Sequence, residues 1–463
     1  MNPNFIQLLI QLLGQTNVTQ NIDDLKDVSR DYTEDFSFLP EILVFPETTE
    51  QVSEVLKLAS LFNVPIYTRG AGTGLSGGCL PVNGGLVLST KKLNKILNID
   101  TENLMATVEP GVINFHLKQA LEPFGLAYPP DPASMGSSTI GGNVAHGAGG
   151  PKAVKYGITR DYILNLEVVL PSGEIMWTGA NTLKNSTGFS LTHLFIGSEG
   201  LLGVITKIVV KLVPKTEHEI LMLALFENAE DAAIAVNKVL LSGVLPTGLE
   251  LMEESGVKIA ADATKTNFPS HPKVAFYLMV ILDGNQIDEL MSHAEQIFPI
   301  LENCGAFEVF MPNNAQMAED WWKVRRSIGE TVKSQSIYKE EDTVVPRAAL
   351  PELLKGVKAI GNKFGFRTVC YGHAGDGNLH VNILKDNLTD EQWQNDVPKG
   401  ITEIFELCKK LGGTISGEHG VGLVQKPYLD VVFEPIHWNL MKGIKKLFDP
   451  QNILNPGKWV EST

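Results

Sequence analysis

The spacing of apolar and polar positions changes period several times along the chain. Phe5, Ile6, Leu8, Leu9, Leu12 and Leu13, interrupted by Gln7 and Gln11, predict a short amphipathic helix at the start. Residues 48–62 carry a second helical pattern, and "NVPIYT" (63–68) reads as the strand after it. A further strand resumes at "LVLS" (86–89). Beyond residue 215 the runs "EILMLALFE" and "VAFYLMVIL" are strand-like and are separated by helical stretches. Trp321, Val324, Ile328 and Val332 recur at helical spacing in "WWKVRRSIGETVKSQ" (321–335). "FRTVCYG" and "LHVNI" flank the turn signal Gly375-Asp376-Gly377-Asn378 and predict a hairpin. This pattern gives an α+β chain whose character changes after residue 215. The second domain is expected to be an antiparallel sheet with helices on one face.

Between the first two strands lies "GAGTGLSGG" (70–78), where Gly72, Gly74 and Gly77 match G-x-G-x-x-G. A Rossmann fingerprint has to open a helix and be followed, about 20 residues on, by an acidic residue that ends a second strand. Here Pro81 and Gly84-Gly85 follow, and then strand. The order helix, strand, glycine loop, strand excludes that reading. A glycine run also makes an anion nest, with successive N–H groups turned inward and no Cβ in the way, suited to a diphosphate. A second stretch, "PPDPASMGSSTIGGNVAHGAGG" (129–150), has almost no large side chains. It cannot build a core, and its composition suits close approach of backbone to a large flat ligand.

Net charge is -15 and the sequence pI is near 5.2. No Lys/Arg run offsets that balance, which argues against a nucleic-acid partner. Cys79, Cys304, Cys370 and Cys408 are scattered, with no C-x-x-C, so neither a disulfide framework nor a cysteine metal site is indicated. Isolated thiols fit a reducing cytoplasm. No stretch reaches the roughly 18 apolar residues that a membrane span needs. The expected location is the cytoplasm, with a peripheral place on the inner face of the membrane as the alternative.

Two histidines, His373 and His380, flank the tight turn of the hairpin, and His380 and Asn382 share one strand face. Further on, "GGTISGEHGVG" (412–422) presents Glu418 and His419 between glycines. Two histidines and one carboxylate are a common set for a divalent transition metal with open positions. His373, His380 and Glu418 would make that set, with His419 outside it. Arg325 and Arg326 lie beside the apolar stripe of the 321–335 helix, and an arginine fork suits a carboxylate.

"RGAGTGLSGG", "PPDP…STIGGNVAHGAGG", "KYGITRDYILNLEVVLPSGE" (155–174) and "GSEGLLGVIT" (197–206) together resemble the FAD-binding domain of the vanillyl-alcohol-oxidase (PCMH) type. More narrowly, the chain resembles the FAD-linked D-2-hydroxyacid dehydrogenases, which include the glycolate oxidase flavin subunit, D-lactate dehydrogenases and D-2-hydroxyglutarate dehydrogenase. The resemblance covers nearly the whole chain. It implies that 1–215 binds FAD, that 216–425 is an α+β cap carrying the substrate and metal site, and that 426–463 returns to the FAD domain.

By the same resemblance, Arg69, Gly70, Ala71, Gly72, Thr73, Gly74, Ser76 and Gly77 cradle the diphosphate. Asp131, Ser134, Ser137, Thr139, Gly142, Asn143 and Ala145 line the isoalloxazine and ribityl path, Ile205 meets the adenine side, and Asn455 packs back toward the flavin. The first glycine loop has no histidine between Arg69 and Leu80, so FAD is expected to be non-covalent, with His146 a polar contact. His373, His380 and Glu418 bind zinc or manganese, His419 is the base, Asn382 touches substrate and Arg325 clamps its carboxylate.

The implied reaction takes a small D-2-hydroxy acid, D-lactate or glycolate, to the 2-oxo acid with hydride transfer to flavin N5. The acceptor would be an electron-transfer flavoprotein, a quinone or an iron–sulfur subunit, and a homodimer is one assembly this allows. Two alternatives stand beside it: a flavin subunit that mainly relays electrons in a complex, and another enzyme on the fold, such as an alkyl-glycerone-phosphate synthase. Two positions depart from the family pattern. Gly329 stands where some relatives have threonine, and Lys339 is one residue out of register with a substrate lysine. Both weaken the case for a long dicarboxylate.

Overall fold

The helical pattern of 48–62 becomes the helix Thr49–Phe62. The Thr48 side chain accepts from the Gln51 N–H at its start, and Asn63 ends it in the left-handed region at φ 52°. The next strand, Ile66–Arg69, pairs in parallel with Leu86–Ser89, so the loop carrying the glycines leaves the end of an outer strand and returns into its neighbour. The computed structural model describes residues 1–33 and 36–461. Among them no helix is long and apolar enough to cross a membrane.

The chain divides into two compact units. The first holds Met1–Gly149, Ile158–Lys215 and the chain from Glu418 onward. It contains a four-stranded sheet in the order Val18–Thr19, Ile42–Val44, Leu86–Ser89, Ile66–Arg69. It also contains a five-stranded antiparallel sheet in the order Ile96–Asp100, Met105–Val108, Val204–Lys211, Ile163–Val169, Ile175–Trp177. Phe5, Leu9, Val52, Val55, Leu56, Ile66, Leu86 and Leu454 meet in one core, so the terminal helix, the helix Thr49–Phe62 and the C-terminal segment all pack on the first sheet. The C-terminal segment is pinned by Lys445 and Asp449, both fully buried and 2.6 Å apart. Lys445 also donates to the Leu201 and Leu454 carbonyls, and Asp449 accepts from the Ile453 and Leu454 N–H groups.

The first unit regains the chain at Glu418, eight residues before the tail expected from sequence. The reason is local: Glu199 binds the Val421 and Gly422 N–H groups, and the Ser76 carbonyl accepts from the Leu423 and Val424 N–H groups.

The second unit holds Gly150–Gly157 and Thr216–Gly417. Its seven-stranded antiparallel sheet has the order Glu308–Phe310, His218–Phe226, Phe276–Gly284, Gly248–Glu253, Arg367–His373, Asn378–Leu384, Tyr338–Val344. The expectation of helices on one face is corrected here. Leu221, Leu223 and Leu225 join a core with Trp321, Val324 and Ile328. The alternate residues Met222, Ala224 and Phe226 are equally buried and point the other way, toward the helices Ala229–Leu240 and Ile287–Asn303. The central strands are apolar at successive positions because both faces are covered.

The excursion Gly150–Gly157 is held in this unit by Asp283. Its carboxylate accepts from Thr247 Oγ1 (2.6 Å), Tyr156 Oη (2.8 Å) and Thr216 Oγ1 (3.2 Å), and it pairs with Lys155. Burial alone would raise the Asp283 pKa, but the hydrogen bonds from Lys155, Thr247 and Tyr156 outweigh it and hold the carboxyl below its ordinary value. A lowered folded pKa means stability that is present above the ordinary value of 3.8 and lost as the pH falls below it. Asp283→Asn should therefore cost about 1–3 kcal/mol at neutral pH. Denaturant titrations of the full chain should show the gap from wild type shrinking below pH 3.8.

Candidate functional site

The first unit contains a cavity of about 200 Å³. Three backbone segments form its walls: Gly70–Gly74 with Gly78 and Cys79, the stretch from Pro132 to Ala148, and Ser198–Gly200 with Gly203 and Ile205. Glu418 and His419 also line it. Several polar atoms of lining residues are buried without a hydrogen-bond partner among the described residues: Thr68 Oγ1, Asp31 Oδ2, Ser138 Oγ, Asn143 Nδ2 and His146 Nδ1. Buried polar groups are normally satisfied, so a wall with this many open donors and acceptors fits a large polar ligand. Burial pushes the Asp31 carboxyl above its ordinary pKa despite hydrogen bonds from Thr33 and the nearby Arg69 and His146.

The residues expected to hold FAD fall into two groups. Gly70, Ala71, Gly72, Thr73, Gly74, Ser134, Thr139, Gly142, Asn143, Ala145 and Ile205 line the cavity. Arg69, Ser76, Gly77, Asp131, Ser137 and Asn455 do not line it, and Ser137 is exposed. Arg69 is buried and lies against the Gly72 Cα, where φ is +74° and any side chain would meet the guanidinium. Asp131 pairs with Lys118 at 2.6 Å. Asn455, itself in the left-handed region at φ 47°, donates to the Gly78 carbonyl (2.9 Å) and the Glu199 carbonyl (2.7 Å).

Glu199 sets the loop that carries Glu418 and His419. It is buried in the left-handed region at φ 51°, and its two oxygens accept from the Val421 N–H (2.6 Å) and the Gly422 N–H (2.8 Å). Gly420 packs so closely that a Cβ there would lie 2.7 Å from Glu199 Oε1 and 2.8 Å from His146 Nδ1. Sequence reasoning missed Glu199, although it lies inside the quoted "GSEG".

In the second unit the hairpin forms as expected, with Tyr371 opposite His380. The rings of His373 and His380 stand edge to face with centroids 5.5 Å apart. Glu250, on the neighbouring strand Gly248–Glu253, is fully buried and organises the site. Its Oε1 meets His373 Nδ1 at 2.8 Å, and its Oε2 accepts from Arg325 Nε at 2.7 Å and lies 2.5 Å from Nη2. Burial would raise the Glu250 pKa, yet the Arg325 and His373 charges prevail and hold it below its ordinary value. With Nδ1 given to Glu250, a metal on His373 would use Nε2, the arrangement in which a carboxylate fixes the tautomer of a ligating histidine.

Arg325 is thus committed along one edge to an internal carboxylate, and its guanidinium also lies 5.3 Å over the Tyr371 ring. Asn382 is wholly buried, and neither amide atom makes a well-formed hydrogen bond. The Tyr371 hydroxyl lies 2.7 Å from where a Cβ on Gly329 would stand. Arg326 is exposed and stacks on Trp322, and Lys339 lies over Trp393. Glu250 carried no sequence signal, because nothing in an apolar strand distinguishes a structural carboxylate.

Fold and cavity together define a protein built to hold a flavin nucleotide. Residues 40–179 match the FAD binding domain, and residues 215–459 match the C-terminal domain of FAD linked oxidases. The chain is 40% identical over 451 residues to the glycolate oxidase subunit GlcD of Bacillus subtilis, covering 97% of this chain and 95% of the relative. It is 37% identical over 445 residues to a D-lactate dehydrogenase of Anaerostipes hadrus, covering 93% of each. Among solved structures, p-cresol methylhydroxylase with bound substrate superposes with a TM-score of 0.82 at 20% identity, covering 99% of this chain and 97% of that one. An alkyldihydroxyacetonephosphate synthase superposes with a TM-score of 0.77 at 20% identity, covering 99% and 86%, and at that identity the likeness shows the fold alone. The chain belongs to the FAD-linked oxidases and is an oxidoreductase.

Removing the Glu199 carboxylate tests its hold on the loop. Glu199→Ala should cost about 1.5–3 kcal/mol for the lost charged hydrogen bonds. Limited proteolysis read by mass spectrometry should find faster cleavage within 418–424. Cleavage at the wild-type rate would show that Glu199 does not restrain the loop.

Proposed function

We propose that this oxidoreductase converts a small D-2-hydroxy acid, D-lactate or glycolate, to the 2-oxo acid. The observation that carries the reading is the buried Glu250–Arg325–His373 network, which holds a guanidinium beside an oriented imidazole at 3.5 Å. It stands in a chain whose relatives are named for glycolate and for D-lactate. Arg325 is the carboxylate clamp. Its Nε and Nη2 are taken by Glu250, and Nη1, which has no hydrogen bond among the described residues, is the donor left for substrate. Asn382 supplies the open amide that meets the substrate. The Tyr371 hydroxyl over Gly329 narrows this region and favours a short acid over a long dicarboxylate.

His373 and His380, with Glu418, are the metal ligands in this reading. A divalent ion, zinc or manganese, would supply Lewis acidity toward the substrate hydroxyl. Gly417, one residue before Glu418, is anchored in the second unit by donating to the Asp342 carbonyl at 3.1 Å. Gly70–Gly74, Asn143 and Ile205 would hold FAD non-covalently in the cavity, where it would supply a hydride acceptor. His419 takes the hydroxyl proton, so that one hydride and one proton depart and the 2-oxo acid remains.

The test is anaerobic mixing of the purified chain with D-lactate, L-lactate, glycolate and D-2-hydroxyglutarate while the flavin absorbance is followed. Bleaching by D-lactate or glycolate, lost after chelation, is the expected outcome. Bound flavin that none of these acids reduces would overturn the reading and favour an electron-relay subunit. His419→Ala should keep FAD bound and abolish reduction, and turnover surviving in that variant would remove His419 as the base. Glu250→Gln should lower metal affinity about 10–100-fold, measured by metal content after dialysis.

A further inference from the structure

We propose that Asn455 and Lys458 build the anion site of the glycine loop from behind. They turn two successive peptides so that the N–H groups of Gly78 and Cys79 face the cavity, and Lys458 adds a fixed positive charge for the FAD diphosphate. The inference rests on the FAD assignment of the cavity and extends it to two residues that do not line it.

Lys458 Nζ donates to the Gly77 and Leu80 carbonyls, each at 2.7 Å, and Asn455 Nδ2 donates to the Gly78 carbonyl at 2.9 Å. In a planar trans peptide the C=O and the following N–H point in opposite directions. Drawing the Gly77 and Gly78 carbonyls toward the C-terminal segment therefore aims the Gly78 and Cys79 N–H groups the other way, and both residues line the cavity. Neither N–H donates to a backbone carbonyl among the described residues. Gly77 sits at φ +74° and Gly78 does not share that hand, the alternation that makes successive N–H groups concave toward an anion.

Charge gives a second, independent observation. Lys458 is fully buried, and its ammonium meets carbonyls and the Tyr67 ring but no carboxylate among the described residues. Arg69 is also buried, with only Cys79 Sγ at 3.2 Å and the Val28 carbonyl at 3.5 Å as partners. Asp31 and Glu199 lie near enough to act on these charges, but neither makes an ion pair with Arg69 or Lys458 among the described residues. A buried cation without a direct counter-ion is costly, with carbonyl dipoles offsetting only part of that cost. Two such cations flank one glycine loop in a chain of net charge -15. A diphosphate, carrying two negative charges, satisfies both.

Calorimetric titration of the flavin-stripped full chain with FAD, ADP and riboflavin tests this, because riboflavin lacks the diphosphate. Lys458→Gln should weaken FAD and ADP by about tenfold or more and leave riboflavin within about twofold, whereas Lys458→Arg should keep FAD within about threefold. A Gln variant that binds ADP like wild type, or loses riboflavin as strongly as FAD, overturns the proposal. Should that variant fail to fold, the wild-type chain decides. Inorganic pyrophosphate must compete with ADP without displacing riboflavin, and failure to compete overturns the proposal. A wild-type chain that binds neither FAD nor riboflavin would instead overturn the flavin assignment itself.

Discussion

The buried carboxylate of Glu199, held in a left-handed backbone conformation, ties together three stretches that are far apart in the chain. Its oxygens take the N–H groups of Val421 and Gly422, its carbonyl takes Asn455, and its own N–H donates to Ala145. These partners are two backbone N–H groups, one backbone carbonyl and the Asn455 side-chain amide, polar groups that are strongly disfavoured when buried without a partner. Through them the small-residue stretch around 145, the Glu418–His419 loop and the C-terminal segment take fixed places around one cavity. The conformational cost at Glu199 is of the kind that persists only where surrounding structure over-determines it.

The second unit solves a different electrostatic problem. A buried guanidinium and a buried imidazole have to be held beside each other in the interior of a sheet. Glu250 does this from a central strand, where no water reaches it, by accepting from Arg325 and His373 together. The same carboxylate that meets His373 Nδ1 also takes Arg325 Nε and Nη2, which leaves one nitrogen of the guanidinium open. Removing either partner would leave a buried charge uncompensated, which makes the three residues one unit in energetic terms.

Much of this is legible in the sequence alone. The helix–strand–glycine loop–strand order excluded a Rossmann turn, because Pro81 and Gly84-Gly85 cannot open a helix there, and the loop does run from strand to strand. The hairpin that brings the rings of His373 and His380 together followed from the turn signal between two apolar runs, a local property of Gly375 to Asn378. The helix carrying Arg325 followed from its apolar stripe. The expectation of helices on one face of the second sheet did not hold, because strands buried on both faces read as continuous apolar runs and give no alternation to show which side is covered.

The sequence by itself determined the local elements, the glycine-rich loops and the titratable residues available for chemistry. These depend on backbone freedom, turn chemistry and periodicity over a few neighbouring positions. Only the tertiary structure decided the roles of Glu199, Glu250 and Lys458. A carboxylate or ammonium in an apolar context carries no local mark of its partner. The side-chain bonds that define them reach residues 75 to 381 positions away. Burial, which makes an unpaired charge costly, is a property of the folded whole.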